Sequence, residues 1–178
     1  MARTDPARVL IDACALIAII KNEPGAERLD GLMEMIARGD AQLVESVQIL
    51  GEVYKKSDAE DPATRRHQDE KLKNIRILLE SRDVELLDVT LPIVRKATEF
   101  RQLHRMKLPD AVHLATAVLN KCDWLVTLDG QFPEVDGIRT FRLEQLCDTS
   151  VGLPWDIAIQ EALPILPDNV VPLRSSGS

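Results

Sequence analysis

Hydrophobic positions along the chain switch repeatedly between two spacings. "RVLI" (8–11) is a short, apolar, β-branched run and predicts a buried strand ending at Asp12, with a helix of about two turns after it. In "EPGAERLDGLMEMIARGD" the residues Ala26, Leu29, Leu32, Met33 and Ile36 recur at helical intervals between a start signal at Pro24 and a stop at Gly39. "AQLVES" (41–46) predicts a second strand, and Ser46 is expected to cap a helix that carries Leu50, Val53 and Tyr54 on one face and Glu52 among its polar positions. A helix is predicted from Pro62 to Ser81, a third strand over "VELLDV" (84–89), and a helix from Pro92 to about Met106. "LPDAVHLATAVLN" (108–120) reads as a helix with Pro109 in its first turn and Ala111, Leu114, Ala115 and Val118 as its apolar stripe. "DWLVTLD" (123–129) and "GIRTF" (137–141) read as the last strands. Strands alternating with helices predict an α/β fold, with a mostly parallel sheet of about five strands covered on both faces.

The pattern changes near residue 149. The stretch from there to Ser178 holds four of the ten prolines and ends in Ser and Gly, so it is expected to be a C-terminal extension (149–178) with at most one short helix at 155–162. The preceding residues, 1–148, form the expected folded domain, within the usual size of about 100–200 residues.

Composition narrows the choice of chemistry. Aromatics make up only 3% of the chain, leaving Leu, Ile, Val and Ala to fill the core. A net charge of −7 excludes a global basic field, so any nucleic-acid contact must be local. Cys14, Cys122 and Cys147 are odd in number and lack CxxC spacing, which argues against a disulfide framework or a zinc knuckle and for reduced thiols. The apolar run "ALIAII" is far shorter than the ~18 residues of a membrane span, and no apolar signal region precedes the first strand, so a cytoplasmic protein is expected.

Asp12 is the anomaly in this pattern, because an ionised group inside "VLIDACALIAII" is costly to bury unless something pairs with it. Ligands of open α/β sheets bind at the carboxyl ends of strands, where Asp12 and Asp129 are expected to close two of them. Glu52 and Asp110 sit on helices just after loops, Asp110 in a first turn whose dipole favours negative charge. Were the four to converge, unit charges at 4 Å would repel by about 4 kcal/mol at an effective dielectric near 20, and only a cation would hold them. An all-oxygen donor set favours Mg²⁺ or Mn²⁺ over zinc and points to metal-assisted phosphodiester hydrolysis. Each acid also has a plainer reading: Asp12 as a cap, Asp110 as a helix-terminal charge, Glu52 as a solvated position and Asp129 as a turn residue.

Taken together, "VLIDACALIAII" with "NEPGAERL", "SVQILGEVYKK", "LPDAVHLATAV" and "CDWLVTLDGQF" resemble, in order, the PIN-domain ribonucleases, particularly the VapC-type toxins of bacterial toxin–antitoxin pairs. The resemblance spans roughly residues 8–141, and "LPDAVHLATA" followed by "LVTLD" is its most specific part. It implies a PIN-like three-layer α/β/α fold, with Asp12, Glu52, Asp110 and Asp129 as the acidic residues that bind one or two Mg²⁺ or Mn²⁺ ions and Thr127 as their polar neighbour. It also implies an RNA substrate, an antitoxin partner that fills the acidic pocket and a groove along the first helices, and a homodimer. In the family the first aspartate is usually followed by Ser or Thr; here Ala13 and Cys14 stand there, so a hydroxyl beside the first ligand is missing. His113 is expected to pack or cap locally, and Cys14 to be a small core residue. Arg65, Arg66, Lys71 and Lys73 on one helix, and Arg95, Lys96, Arg101, Arg105 and Lys107 around another, are the candidate phosphate contacts. The rival from another class is a catalytically idle PIN-fold binding module, to which the missing hydroxyl points; a phosphoacceptor receiver domain fits poorly, lacking a paired acidic dipeptide after the first strand.

Overall fold

The computed structural model describes residues 5–156. Strand β1 (Ala7–Ile11) runs through the middle of the sheet, where Val9, Leu10 and Ile11 are fully buried, as an uninterrupted apolar strand requires. Around it lie β2 (Ala41–Ser46), β3 (Glu85–Leu87), β4 (Trp124–Val126) and β5 (Arg139–Phe141), all parallel in the order β3-β2-β1-β4-β5.

Helices α1 (Ala13–Lys21), α2 (Asp30–Arg38), α3 (Gln48–Val53) and α4 (Pro62–Leu79) bury their apolar sides on one face of the sheet with Val9, Ile11, Leu43 and Val126. Helices α5 (Leu91–His104) and α6 (Leu108–Leu119) cover the other face over Leu10, Val44 and Leu125. The three layers are those of an α/β/α sandwich. Chain order reverses between the neighbours β1 and β4, whose adjoining helices α1 and α6 lie on opposite faces. That is the topological switch point, where the crevice of such a sheet opens.

The local signals act as their chemistry dictates. Asp61 caps α4 by accepting from the Thr64 amide at 2.7 Å, with Pro62 in the first turn, and Gly39 ends α2 at φ 79°. Four expectations change. The helix expected from Pro24 opens as a 3₁₀ turn, Ala26–Leu29, before α2. Ser46 does not cap α3: β2 continues through it, paired with Leu87, and Val47 takes the N-cap position. Strand β4 stops at Val126, so Asp129 stands in the following loop instead of closing the strand. Residues Leu143–Cys147 form a further helix, α7.

Packing continues past residue 148. Leu153 is buried, and Trp155, fully buried, stacks edge-on against Phe141 at 4.8 Å while its Nε1 donates to the Arg28 carbonyl at 2.6 Å. The Arg28 guanidinium in turn binds Asp156 at 3.0 Å. Of the short helix expected at 155–162, residues 157–162 lie outside the described residues. Among the described residues no helix is long and apolar enough to cross a membrane.

Candidate functional site

Asp12 leaves β1 at the switch point and is only 4% exposed. Its burial is compensated by donors from three directions. Oδ1 accepts from the Ala13 amide at 2.9 Å, which makes Asp12 the N-cap of α1, and Oδ2 accepts from the Thr127 hydroxyl at 2.9 Å and the Cys14 thiol at 2.8 Å. A carboxylate offers about four lone-pair positions, so one is left for a further partner.

Cys14 is therefore more than a small core residue. Its Sγ donates to Asp12, accepts from the Leu128 amide at 3.2 Å, and lies 3.5 Å from Thr127 Oγ1. The thiol occupies the position beside the first aspartate where a hydroxyl was expected. Burial, then the neighbouring Asp12 charge, pushes its pKa up to about 12, so it stays a protonated donor at neutral pH and not a nucleophile. Thr127, fully buried, links two of the acids: its Oγ1 donates to Asp12 and accepts from the Asp129 amide at 3.1 Å.

Asp110 lies in the first turn of α6 with Lys107 at the N-cap, and Asp129 faces it across a cleft that His104, Arg105 and Lys107 also border. Burial raises the Asp110 carboxyl above its ordinary range, and the charges of Asp12 and Asp129 add to the rise. Asp110 thus senses the charge of both other acids.

Glu52, on the last turns of α3, joins them through a residue expected to be inert. His113 Nε2 is 2.9 Å from Glu52 Oε1 and 3.9 Å from Asp12 Oδ1, with the imidazole fully buried inside α6. Burial pushes the Glu52 carboxyl up, but hydrogen bonds from His113 and from Gln48 Nε2 (2.9 Å) outweigh it and hold the group below its ordinary range. His113 is affected in the complementary sense: burial lowers it, and the Glu52 bond with the Glu45 and Asp12 charges raises it on balance.

Glu45 is the group that periodicity missed. It is fully buried on β2, where Oε1 accepts from the Ile11 amide at 2.9 Å, and burial pushes its carboxyl up to about 8. The β1–β2 register ends at Val9 and Leu43, and beyond it this side chain takes the place of a strand carbonyl. The available signal was the one that marked Asp12: a carboxylate inside an apolar strand.

Among the described residues, no three His, Cys, Asp or Glu side chains are gathered closely enough to hold a metal ion as they stand. The donor chemistry nevertheless suits a hard divalent cation, with carboxylates only and charge repulsion at Asp110 for a cation to relieve.

Residues 9–138 match the family model of the PIN domain. The chain belongs to the PIN domain family. Solved structures with a similar fold include a toxin–antitoxin complex from Klebsiella pneumoniae, at 22% identity over 74% of this chain and 96% of that one, with a TM-score of 0.51. VapBC2 from Rickettsia felis, bound to a DNA fragment from its promoter, is 15% identical over 76% and 98% of the two chains, with a TM-score of 0.55. Mycobacterium tuberculosis VapC20, described as a toxin that cleaves the sarcin-ricin loop, is 17% identical over 70% and 92%, with a TM-score of 0.50. No curated protein matches in sequence. At these identities the likeness is one of fold.

Proposed function

We propose that this PIN domain is a Mg²⁺- or Mn²⁺-dependent endoribonuclease of the VapC kind, acting on structured RNA and blocked by a cognate antitoxin. The observation that carries the reading is the concentration of like charge at the switch point: Asp110 under the charges of Asp12 and Asp129, with Glu52 tied in through His113. Asp12, Glu52, Asp110 and Asp129 would hold the cation, Asp110 and Asp129 from the cleft they share. When bound, it supplies positive charge against the phosphate and lowers the pKa of water.

The chain's own residues position and exclude. Thr127 and Cys14 fix the Asp12 carboxylate, and the buried floor formed by Ile11, Thr127 and His113 keeps bulk water from behind the acids. Arg105 and Lys107, beside Asp110, are the best placed of the candidate cations to receive an RNA phosphate, whereas Lys96 is paired with Glu99 and Lys71 is bound to Ile19 and Asn22. On the other side of Glu52 a cavity of about 200 Å³ is floored by Ile17, Ile20, Val53 and Leu72 and rimmed by Lys21, Lys55 and Lys56. An antitoxin segment that sets apolar side chains in this groove and an Arg among the acids would block the site. A homodimer and a cytoplasmic setting belong to the same proposal through the family resemblance.

Incubating the purified protein with structured RNA tests it. Cleavage is expected with Mn²⁺ or Mg²⁺, none with EDTA, and a loss of more than about 100-fold in Asp110→Asn, at or above what outer-sphere partners of a metal cost. Undiminished cleavage by Asp110→Asn overturns the proposal. The acids' standing apart favours one rival, an idle PIN-fold binding module, which predicts no cleavage and no carboxylate-dependent Mn²⁺ binding.

A further inference from the structure

Three buried polar atoms near the site lack a hydrogen-bond partner among the described residues: Glu45 Oε2, Ser46 Oγ and His113 Nδ1. Buried polar groups in native proteins are nearly always paired, so such a concentration calls for a reason. Glu45 and Ser46 end β2, and His113 lies on α6, which packs against that strand.

The partnered ends of the same two side chains show what the arrangement does. Glu45 Oε1 holds the Ile11 amide, the residue immediately before Asp12, at 2.9 Å, and His113 Nε2 holds Glu52 at 2.9 Å. One group steadies the backbone that presents the first acid, and the other grips the carboxylate of the second. His113 Nε2 also lies 3.9 Å from Asp12 Oδ1, so the imidazole reaches both acids.

We propose that Glu45 and His113 are positioning residues beneath the acids, Glu45 fixing the backbone that presents Asp12 and His113 fixing Glu52 for a divalent cation. This rests on the metal-site reading above. The pair lies too deep to touch substrate, and it acts only through the ligands it holds.

Calorimetric Mn²⁺ titration of the full chain tests the proposal, with imidazole nitrogen NMR of the metal-free protein as a second readout. Glu45→Leu and His113→Leu, each filling a buried site, are expected to keep a native circular dichroism spectrum and to bind Mn²⁺ about 10- to 100-fold more weakly. Glu45→Gln and His113→Gln retain the hydrogen bonds to Ile11 and Glu52 and are expected to stay within about threefold of wild type; if the Leu variants fail to fold, His113→Asn, too short to reach Glu52, takes their place with the same expected loss. In metal-free protein, Glu52→Gln is expected to shift the His113 nitrogen resonances, since Nε2 lies 2.9 Å from Glu52 Oε1. Unchanged Mn²⁺ affinity in the Leu or Asn variants, or unmoved His113 resonances, would overturn the proposal. Wild-type protein that binds no Mn²⁺ would instead overturn the metal-site reading beneath it.

Discussion

The two ends of strand β1 handle buried polarity in opposite ways. At its N-terminal end Arg8 meets opposite charge and complete pairing: its amide donates to Asp123 Oδ2 at 2.8 Å, Nε to the Asn120 carbonyl at 2.9 Å and Nη1 to Glu85 at 2.8 Å. At its C-terminal end, a few residues later, Asp12 faces acids of its own sign, and three buried polar atoms behind it are unsatisfied. The first end is what a chain does when only folding matters. The second breaks the same rules, and a natural sequence does so chiefly where function requires it. The difference teaches where to look: the strand is the same, but the Arg8 end is partly exposed and paired, while the Asp12 end is buried and electrostatically incomplete.

The comparison can be broken most sharply through Glu45. With a folded value near 8 against an ordinary 4.5, the native state keeps a proton that the unfolded chain releases. Stability from this group is complete below about pH 4.5 and falls as pH rises towards 8. His113, also raised, runs in the same direction, whereas Glu52, lowered, contributes stability above its ordinary range that is lost in acid. Glu45→Gln keeps the bond to Ile11 and removes the titration, so denaturant titrations should show it gaining on wild type between about pH 5 and 8, by a few kcal/mol. A gap that does not change with pH would mean that the C-terminal end is as well satisfied as the other.

A smaller effect separates the thiol from a packing role. Cys14→Ser should keep the donor to Asp12 and hold RNA cleavage within a few-fold, while Cys14→Ala should lose about tenfold through the unsupported carboxylate. Equal activity in both would return Cys14 to the core. The smallest effect is expected at the other end: Glu85→Gln should destabilise by under about 1 kcal/mol, less in high salt, with cleavage unchanged, because the Arg8 pair is partly exposed and serves only the fold.

Much of this was legible in the sequence, and the failures have physical causes. The strands and helices up to α6 follow from spacing and caps, which are local. Strand ends are not local: Ser46 stays in β2 because Leu87 pairs with it, and Asp129 falls in a loop because β4 ends level with Phe141 of β5. Trp155 belongs to the core through rings and an Arg28 carbonyl more than a hundred residues away, which no period reveals. Asp12 was visible because a charge in an apolar run is conspicuous. Glu45 carried the same signal, weakened by the polar Gln42 and Ser46 in its strand. His113 hid in an apolar stripe where a neutral imidazole passes for core, and its bond to Glu52, 61 residues back, exists only once α6 is laid over β2.

The central claim, that the C-terminal end of β1 is built around a cation and the N-terminal end is not, is tested most directly by calorimetric Mn²⁺ titration of wild type, Asp12→Asn and Asp123→Asn. The account predicts saturable binding in wild type and Asp123→Asn and its loss in Asp12→Asn. No binding in wild type, or undiminished binding in Asp12→Asn, would contradict it.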